Sequence, residues 1–315
     1  MKTLVIGDMN VDIIVRGASG LPVLGHEITC KAIRTVMGGS ASIFSSRLGQ
    51  LGGKVSIFGK LGNDQNGKVV LRTLRSSHVS VSKVKILDTI QTGATISLSY
   101  PRNKALVTCT DGIDTITASD IAPELFRGYG HLHISSIYLL RGLLSSLPTI
   151  FGEAKEQGLT TSLDTNADPL GKYEYIDEIL DNVDIFLPNE KEARHITKSE
   201  NVTSALRILS AKVPVVVIKC GERGAAGRRK DDVVWEKPIR IESIDTTGAG
   251  DSFDAGFVYY FLHKKRPFDV SVRFATALGT LSCLYIGGAE RKIDESDVLT
   301  FMNRGKTPGG QDELS

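Results

Sequence analysis

The 315-residue sequence has one tryptophan, four cysteines and a formal net charge of only +2. Cys30, Cys109, Cys220 and Cys283 are scattered with no CxxC pair. That excludes a disulfide framework and a zinc ribbon, and suits free thiols in a reducing compartment. The near-neutral charge gives no reason to expect a nucleic-acid partner. The short basic runs Arg228-Arg229-Lys230 and Lys264-Lys265-Arg266 read as solvated turns. No apolar stretch is long enough to span a bilayer, and the run before Asp8 is too short for a signal peptide. A cytoplasmic protein without a membrane partner is expected. No G-x-G-x-x-G follows the first strand, which argues against a dinucleotide-dependent oxidoreductase.

What is present is ordinary globular composition, 41% hydrophobic and 23% charged, in a chain long enough for one large α/β domain. Residues 3–7 read as a buried strand running into a turn. Strand-like runs recur at 55–58, 131–135, 160–163, 185–187 and 213–219. Helix-length segments at 41–51, 67–76, 147–157, 190–196 and 202–210 lie between most of them. This alternation predicts βαβ units and a mainly parallel sheet with helices on both faces. Residues 11–36 and 92–110 break the rhythm with period-2 alternation, as in Thr95-Ile96-Ser97-Leu98. They are expected to pair into a small β-sheet lid, from roughly 11–36 and 90–110, with edge hairpins of the main sheet as the alternative. A single domain over 1–303 and a disordered polar tail over 304–315 complete the expected organisation.

The strongest motif is Asp245-Thr246-Thr247-Gly248-Ala249-Gly250-Asp251-Ser252-Phe253, followed by a helical run. Small residues at 248–250 let the backbone expose successive N–H groups at the positive end of that helix, an anion site suited to phosphate. Asp251 is then placed to take a proton from a hydroxyl that attacks phosphorus. Asn189 and Glu192 lie three apart at a helix start, a spacing that suits either magnesium held through water or a helix cap. Asn10 and Asp12 follow the first strand, where open parallel sheets bind ligands. His131 and His133 face one way on a strand, and read as core histidines bonded to hydroxyls rather than metal ligands.

The run DTTGAGDSF resembles the C-terminal signature of the ribokinase-like, or PfkB-type, carbohydrate kinases. Gly38-Gly39-Ser40-Ala41, then residues 59–67, resemble the family's N-terminal signature, and Pro188-Asn189-Glu190-Lys191-Glu192 its N-x-x-E element. The order and spacing agree from about residue 1 to 300. The resemblance implies a ribokinase-like three-layer α/β/α sandwich with a mainly parallel central sheet and a small β-sheet lid, transferring phosphate from ATP to a sugar hydroxyl. It makes Asp251 the base, with Gly248, Ala249 and Gly250 as the anion hole. It gives Asn10, Asp12, Gly38 and Gly39 to the sugar. It gives Asn189, Lys219, Gly221, Glu222, Gly224, Gly250 and Ala275 to ATP, and Asn189 with Glu192 to Mg²⁺. Asp245 and Thr247 resemble positions that bind a monovalent cation, K⁺, in some members.

One departure stands out: Ile43 occupies the place where many relatives carry an asparagine that contacts the sugar, so a different sugar pose or substrate is expected. A nucleoside kinase on the same scaffold is the nearest alternative, with Phe44, Tyr100 and Tyr138 as candidate stacking platforms. A phosphosugar kinase would need acceptor-side cations, for which Arg102 and Lys104 are candidates. A non-catalytic sugar sensor is disfavoured by the intact Asp251 loop. The exposed apolar side of the lid suggests a homodimer.

Overall fold

The computed structural model describes residues 1–100 and 103–304. Arg102, the side chain of Lys104 and the tail beyond residue 304 lie outside the described residues. Thirteen strands are described: β1 (Lys2–Ile6), β2 (Asn10–Arg16), β3 (Ala32–Gly38), β4 (Lys54–Gly62), β5 (Ser80–Leu87), β6 (Gly93–Tyr100), β7 (Asn103–Cys109), β8 (His131–Ser135), β9 (Thr160–Asp164), β10 (Ile185–Phe186), β11 (Val215–Lys219), β12 (Ala225–Arg229) and β13 (Asp232–Glu236). The α-helices are α1 (Ser40–Gln50), α2 (Gln65–Ser76), α3 (Arg141–Leu144), α4 (Leu147–Glu156), α5 (Ile176–Leu180), α6 (Glu190–Thr197), α7 (Val202–Ser210), α8 (Ala249–Val258), α9 (Phe268–Ser282) and α10 (Glu295–Arg304).

Nine strands form one sheet in the order β13-β12-β11-β10-β9-β8-β1-β4-β5. All pairs from β11 to β5 are parallel; β12 and β13 close one edge as an antiparallel hairpin. Both faces are covered, which explains why the strands are apolar on both sides. Leu4 and Ile6 of β1 join a core with Leu132, Ile134 and Phe151 of α4, whereas Val5 points the other way into a core with Phe44 of α1 and Phe274 of α9. Helix on sheet on helix is the three-layer architecture expected.

Chain direction matters for the site. From β1 the parallel strands run outward to β4 and β5 on one side and, beginning with β8, on the other. The β1–β8 boundary is therefore a switch point, and crevices at the strands' carboxyl ends gather there. Asp8 follows β1 and is buried; Ser135 ends β8, Asp164 ends β9 and Lys219 ends β11.

A second sheet has the order β3-β2-β6-β7. Its two halves meet through the parallel β2–β6 pair, with Asn10 opposite both Gly38 and Gly93. Alternation sorts its faces. Asp12, Ile14, Val36 and Ser97 lie buried on one, while Ile33, Ile96 and Val107 are exposed on the other.

Candidate active site

Asn10 and Asp12 enter the site from β2, beside the Gly38-Gly39 end of β3. The Asn10 side chain donates to Thr95 Oγ1 (3.1 Å) and Asp12 Oδ1 (3.3 Å). Glycine is needed opposite them. A Cβ on Gly38 would collide with the Asp12 carboxylate, and one on Gly39, whose φ is 84°, would lie 2.6 Å from Asn10 Oδ1. The very next residue, Ser40, begins α1 and donates its hydroxyl to Asp251 Oδ1. Asp8 holds that helix start, accepting from the amides of Ser40 (3.0 Å) and Ala41 (3.1 Å). The elements carrying Asn10, Asp12, Gly39 and Asp251 therefore form one contiguous arrangement.

Asp251 sits in the first turn of α8, capped by Gly248 in the left-handed region at φ 72°. Of the three amides expected to form the anion hole, that of Ala249 donates to Thr246 O (3.3 Å). Those of Gly248 and Gly250 have no acceptor among the described residues, nor has that of Asp251 itself. Open first-turn amides at a helix's positive end are suited to binding an anion. Burial pushes the Asp251 carboxyl up to about 7, with Asp164 adding to the rise and Ser40 and Lys219 opposing it. A carboxylate poised near neutrality is suited to taking a proton and returning it.

Lys219 shares a cleft with Asn189 and Gly221 and is not an isolated lysine. Its ammonium lies between two buried carboxylates, 3.0 Å from Asp164 and 2.8 Å from Asp254. A Cβ on Gly250 would be 3.5 Å from that ammonium, so the charge borders the anion hole. Burial opposes the charge, but Asp164, Asp254 and Glu192 outweigh it and hold Lys219 protonated. Asp164, Asp254 and Ser40 were not among the predicted site residues. An acid closing the β9 strand was a usable signal for Asp164; the other two depend on long-range partners.

Asn189 and Glu192 make a capping box on α6. Asn189 Oδ1 accepts from Glu192 N (3.0 Å), and Glu192 Oε2 accepts from Asn189 N (3.0 Å) and Thr165 Oγ1 (3.3 Å). Burial raises the Glu192 carboxyl to about 7, helped by Asp164 and opposed by Lys219. These hard oxygen donors fit a magnesium ion held through water. No group of three or more His, Cys, Asp or Glu among the described residues is arranged to grip an ion directly.

Three of the expected positions have well-defined surroundings. Ala275 is fully buried in the α8–α9 contact, with Phe253 and Phe257 in the same core. Gly224 uses its amide on Gly221 O and its carbonyl on Cys220 N, so it shapes the turn, while Gly221 and Glu222 are exposed beside it. Ile43 packs against Gly248 and Gly288 and so borders the loop that carries Asp251. Asp245 accepts from Thr247 N (2.9 Å), Thr247 Oγ1 (2.7 Å) and Gly287 N (3.0 Å), so the pair bridges two loops. His131 and His133 are buried and share Ser162 Oγ at 2.8 Å each, and burial pushes His131 down to about 3, as core histidines should be.

The chain matches the pfkB family carbohydrate kinase model over residues 2–295. It is 30% identical to an uncharacterized sugar kinase of Archaeoglobus fulgidus over 69% of this chain and 87% of that one. It is 25% identical to an ATP-dependent 6-phosphofructokinase of Thermoanaerobacterium thermosaccharolyticum over 95% and 92%. A protein of E. coli solved in complex with ATP and Mg²⁺ superposes with a TM-score of 0.86 at 20% identity, over 96% of this chain and 99% of that one. With the sheet order and the Asp251 loop, these matches settle the relationship: the chain belongs to the pfkB family of carbohydrate kinases.

Proposed function

We propose that the chain transfers the γ-phosphoryl group of ATP to a hydroxyl of a small neutral sugar, with Asp251 as general base. The observation that carries this reading is the continuous link from Asn10 and Gly39, through Ser40, to Asp251 and the open Gly250 amide. Asn10 and Asp12 hold the sugar hydroxyls. Asp251 takes the proton of the attacking hydroxyl as its oxygen bonds to phosphorus and the bond to the ADP oxygen breaks. The amides of Gly248 and Gly250 and the Lys219 ammonium stabilise the charge on the transferring group. Gly221 and Glu222 lie on the ATP side. Asn189, Glu192 and Asp164 would hold a magnesium ion through water, and that ion would supply neutralisation of phosphate charge. The four-stranded sheet acts as the lid over a single kinase domain and excludes water.

A neutral sugar is favoured over a nucleoside because the candidate stacking rings are engaged elsewhere. Phe44 is buried and stacked on His133, with ring centroids 3.8 Å apart, Tyr138 is buried edge-on to Tyr173, and the Tyr100 hydroxyl donates to Gly20 O. Asp245 and Thr247 bridge the loops at 245–247 and 287 through protein hydrogen bonds, and the scheme is written without a monovalent cation. All four cysteines are free, in keeping with a cytoplasmic enzyme. Among the described residues no helix is long and apolar enough to cross a membrane.

The test is ADP release with Mg-ATP over a panel of sugars, sugar phosphates and nucleosides. Stimulation by a neutral sugar supports the reading; stimulation by a nucleoside alone contradicts it. The exposed Ile33, Ile96 and Val107 face further supports a homodimer through the lid. Light scattering should give a dimer that Ile96→Lys dissociates; a monomer at all concentrations would remove that part.

A further inference from the structure

Arg47, in the third turn of α1, is the largest fully buried side chain of the described residues. Its guanidinium makes four hydrogen bonds: Nε to Ser252 Oγ (3.2 Å), Nη1 to Gln50 Oε1 (2.9 Å) and Arg291 O (2.6 Å), and Nη2 to Gly288 O (2.8 Å). No carboxylate among the described residues lies within ion-pair distance; Glu290 acts on it only through space. A buried charge is tolerable only if fully hydrogen-bonded, and here backbone carbonyls supply much of the compensation.

Those carbonyls matter because of what rests on them. A Cβ on Gly248 would lie 2.6 Å from Gly288 Cα, so the 288 backbone is the floor under the anion hole. Gln50 adds a second clamp, donating to Ala289 O at 3.0 Å. From the other side Asp245 accepts the Gly287 amide. Ser252, bonded to Nε, directly follows Asp251. One guanidinium therefore touches both the floor of the anion hole and the turn that carries the base. Backbone carbonyls gathered around one positive charge are how a bound alkali ion organises a loop, and here the charge is covalently attached.

We propose that Arg47 is the resident cation of the anion-hole loop, a positioning residue that holds Gly288 and Arg291, and through them Gly248, so that turnover needs no dissociable monovalent cation. This rests on the kinase reading above. Burial lowers the Arg47 guanidinium only to about 10, so it stays charged at neutral pH.

The test compares wild-type protein in potassium chloride and in tetramethylammonium chloride at equal ionic strength, by kcat and by melting temperature. Both should agree between the salts, kcat within about twofold. Arg47→Met should lower kcat about 10–100-fold, the usual range for loss of an outer-shell partner, with the acceptor KM little changed. Potassium should restore part of that loss, and Arg47→Lys should fall between. A wild-type kcat or melting temperature that drops when potassium is withdrawn would overturn the proposal, as would a folded Arg47→Met variant with unchanged kcat. Should Arg47→Met fail to fold, the wild-type salt exchange decides alone. If no acceptor supports turnover in either salt, the kinase reading fails, and the melting comparison still decides the role of Arg47.

Discussion

Ser40 and Asp251 stand 211 positions apart in sequence, yet the Ser40 hydroxyl donates to the Asp251 carboxylate. Each lies in the first turn of its helix, α1 and α8. The hydrogen bond favours the charged carboxylate, while burial and the Asp164 charge favour the neutral acid. The balance sets the pH at which Asp251 can accept a proton.

The acid limb of kcat/KM should therefore bend near pH 7, with activity rising as pH rises through that value. Ser40→Ala removes a contribution that lowers the Asp251 pKa. Its limb should move to higher pH, so that activity at pH 6.5 falls several-fold more than activity at pH 8.5. A pH–rate profile checks this; a limb left unmoved would show that Ser40 does not tune the base.

The same shift has a consequence for stability. Asp251 titrates near 3.8 when unfolded and near 7 when folded. The folded state thus binds more protons between those values, and stability falls as pH rises from about 4 to 7. Asp251→Asn does not titrate. It should melt above the wild type at pH 8, by roughly 2–4 °C, with the gap closing toward pH 4. A variant less stable than wild type at pH 8 would contradict this sign.

Lys219 separates Asp164 from Asp254, and its loss leaves two buried carboxylates facing one another. Lys219→Met should destabilise the fold by about 3–5 kcal/mol, the usual cost of stripping one partner from a buried pair. Adding Asp254→Asn should recover much of that loss. Denaturant unfolding of both single variants and the double variant measures the coupling; strict additivity would mean that the three groups do not act as a unit.

The sequence made the parallel core legible because strand and helix periods alternate cleanly, and β1, β8, β9, β10 and β11 fall on its apolar runs. The β12–β13 hairpin was less visible, since its apolar runs, Ala225-Ala226 and Val233-Val234-Trp235, are only two and three residues long. Local motifs put forward Asp251, Asn10 and Asn189 as candidates, because their chemistry shows in their immediate neighbours. Ser40, Arg47 and Asp254 stayed hidden because their partners come from distant segments. The sequence of α9 marks no single buried face, since polar Ser271, Thr276 and Ser282 are buried alongside Val272, Phe274 and Leu278. Asn189 and Glu192 show that a cap and a ligand pair can share one spacing; the capping box is what the structure displays.

The central claim is that Asp251 takes the proton of the acceptor hydroxyl. It is tested most directly by single-turnover phosphoryl transfer in Asp251→Asn against wild type, with the best acceptor and saturating Mg-ATP. The account predicts a loss of about 10²–10⁴ in rate, the range for removal of a general base, with acceptor binding nearly unchanged. An equal rate in the variant would contradict it.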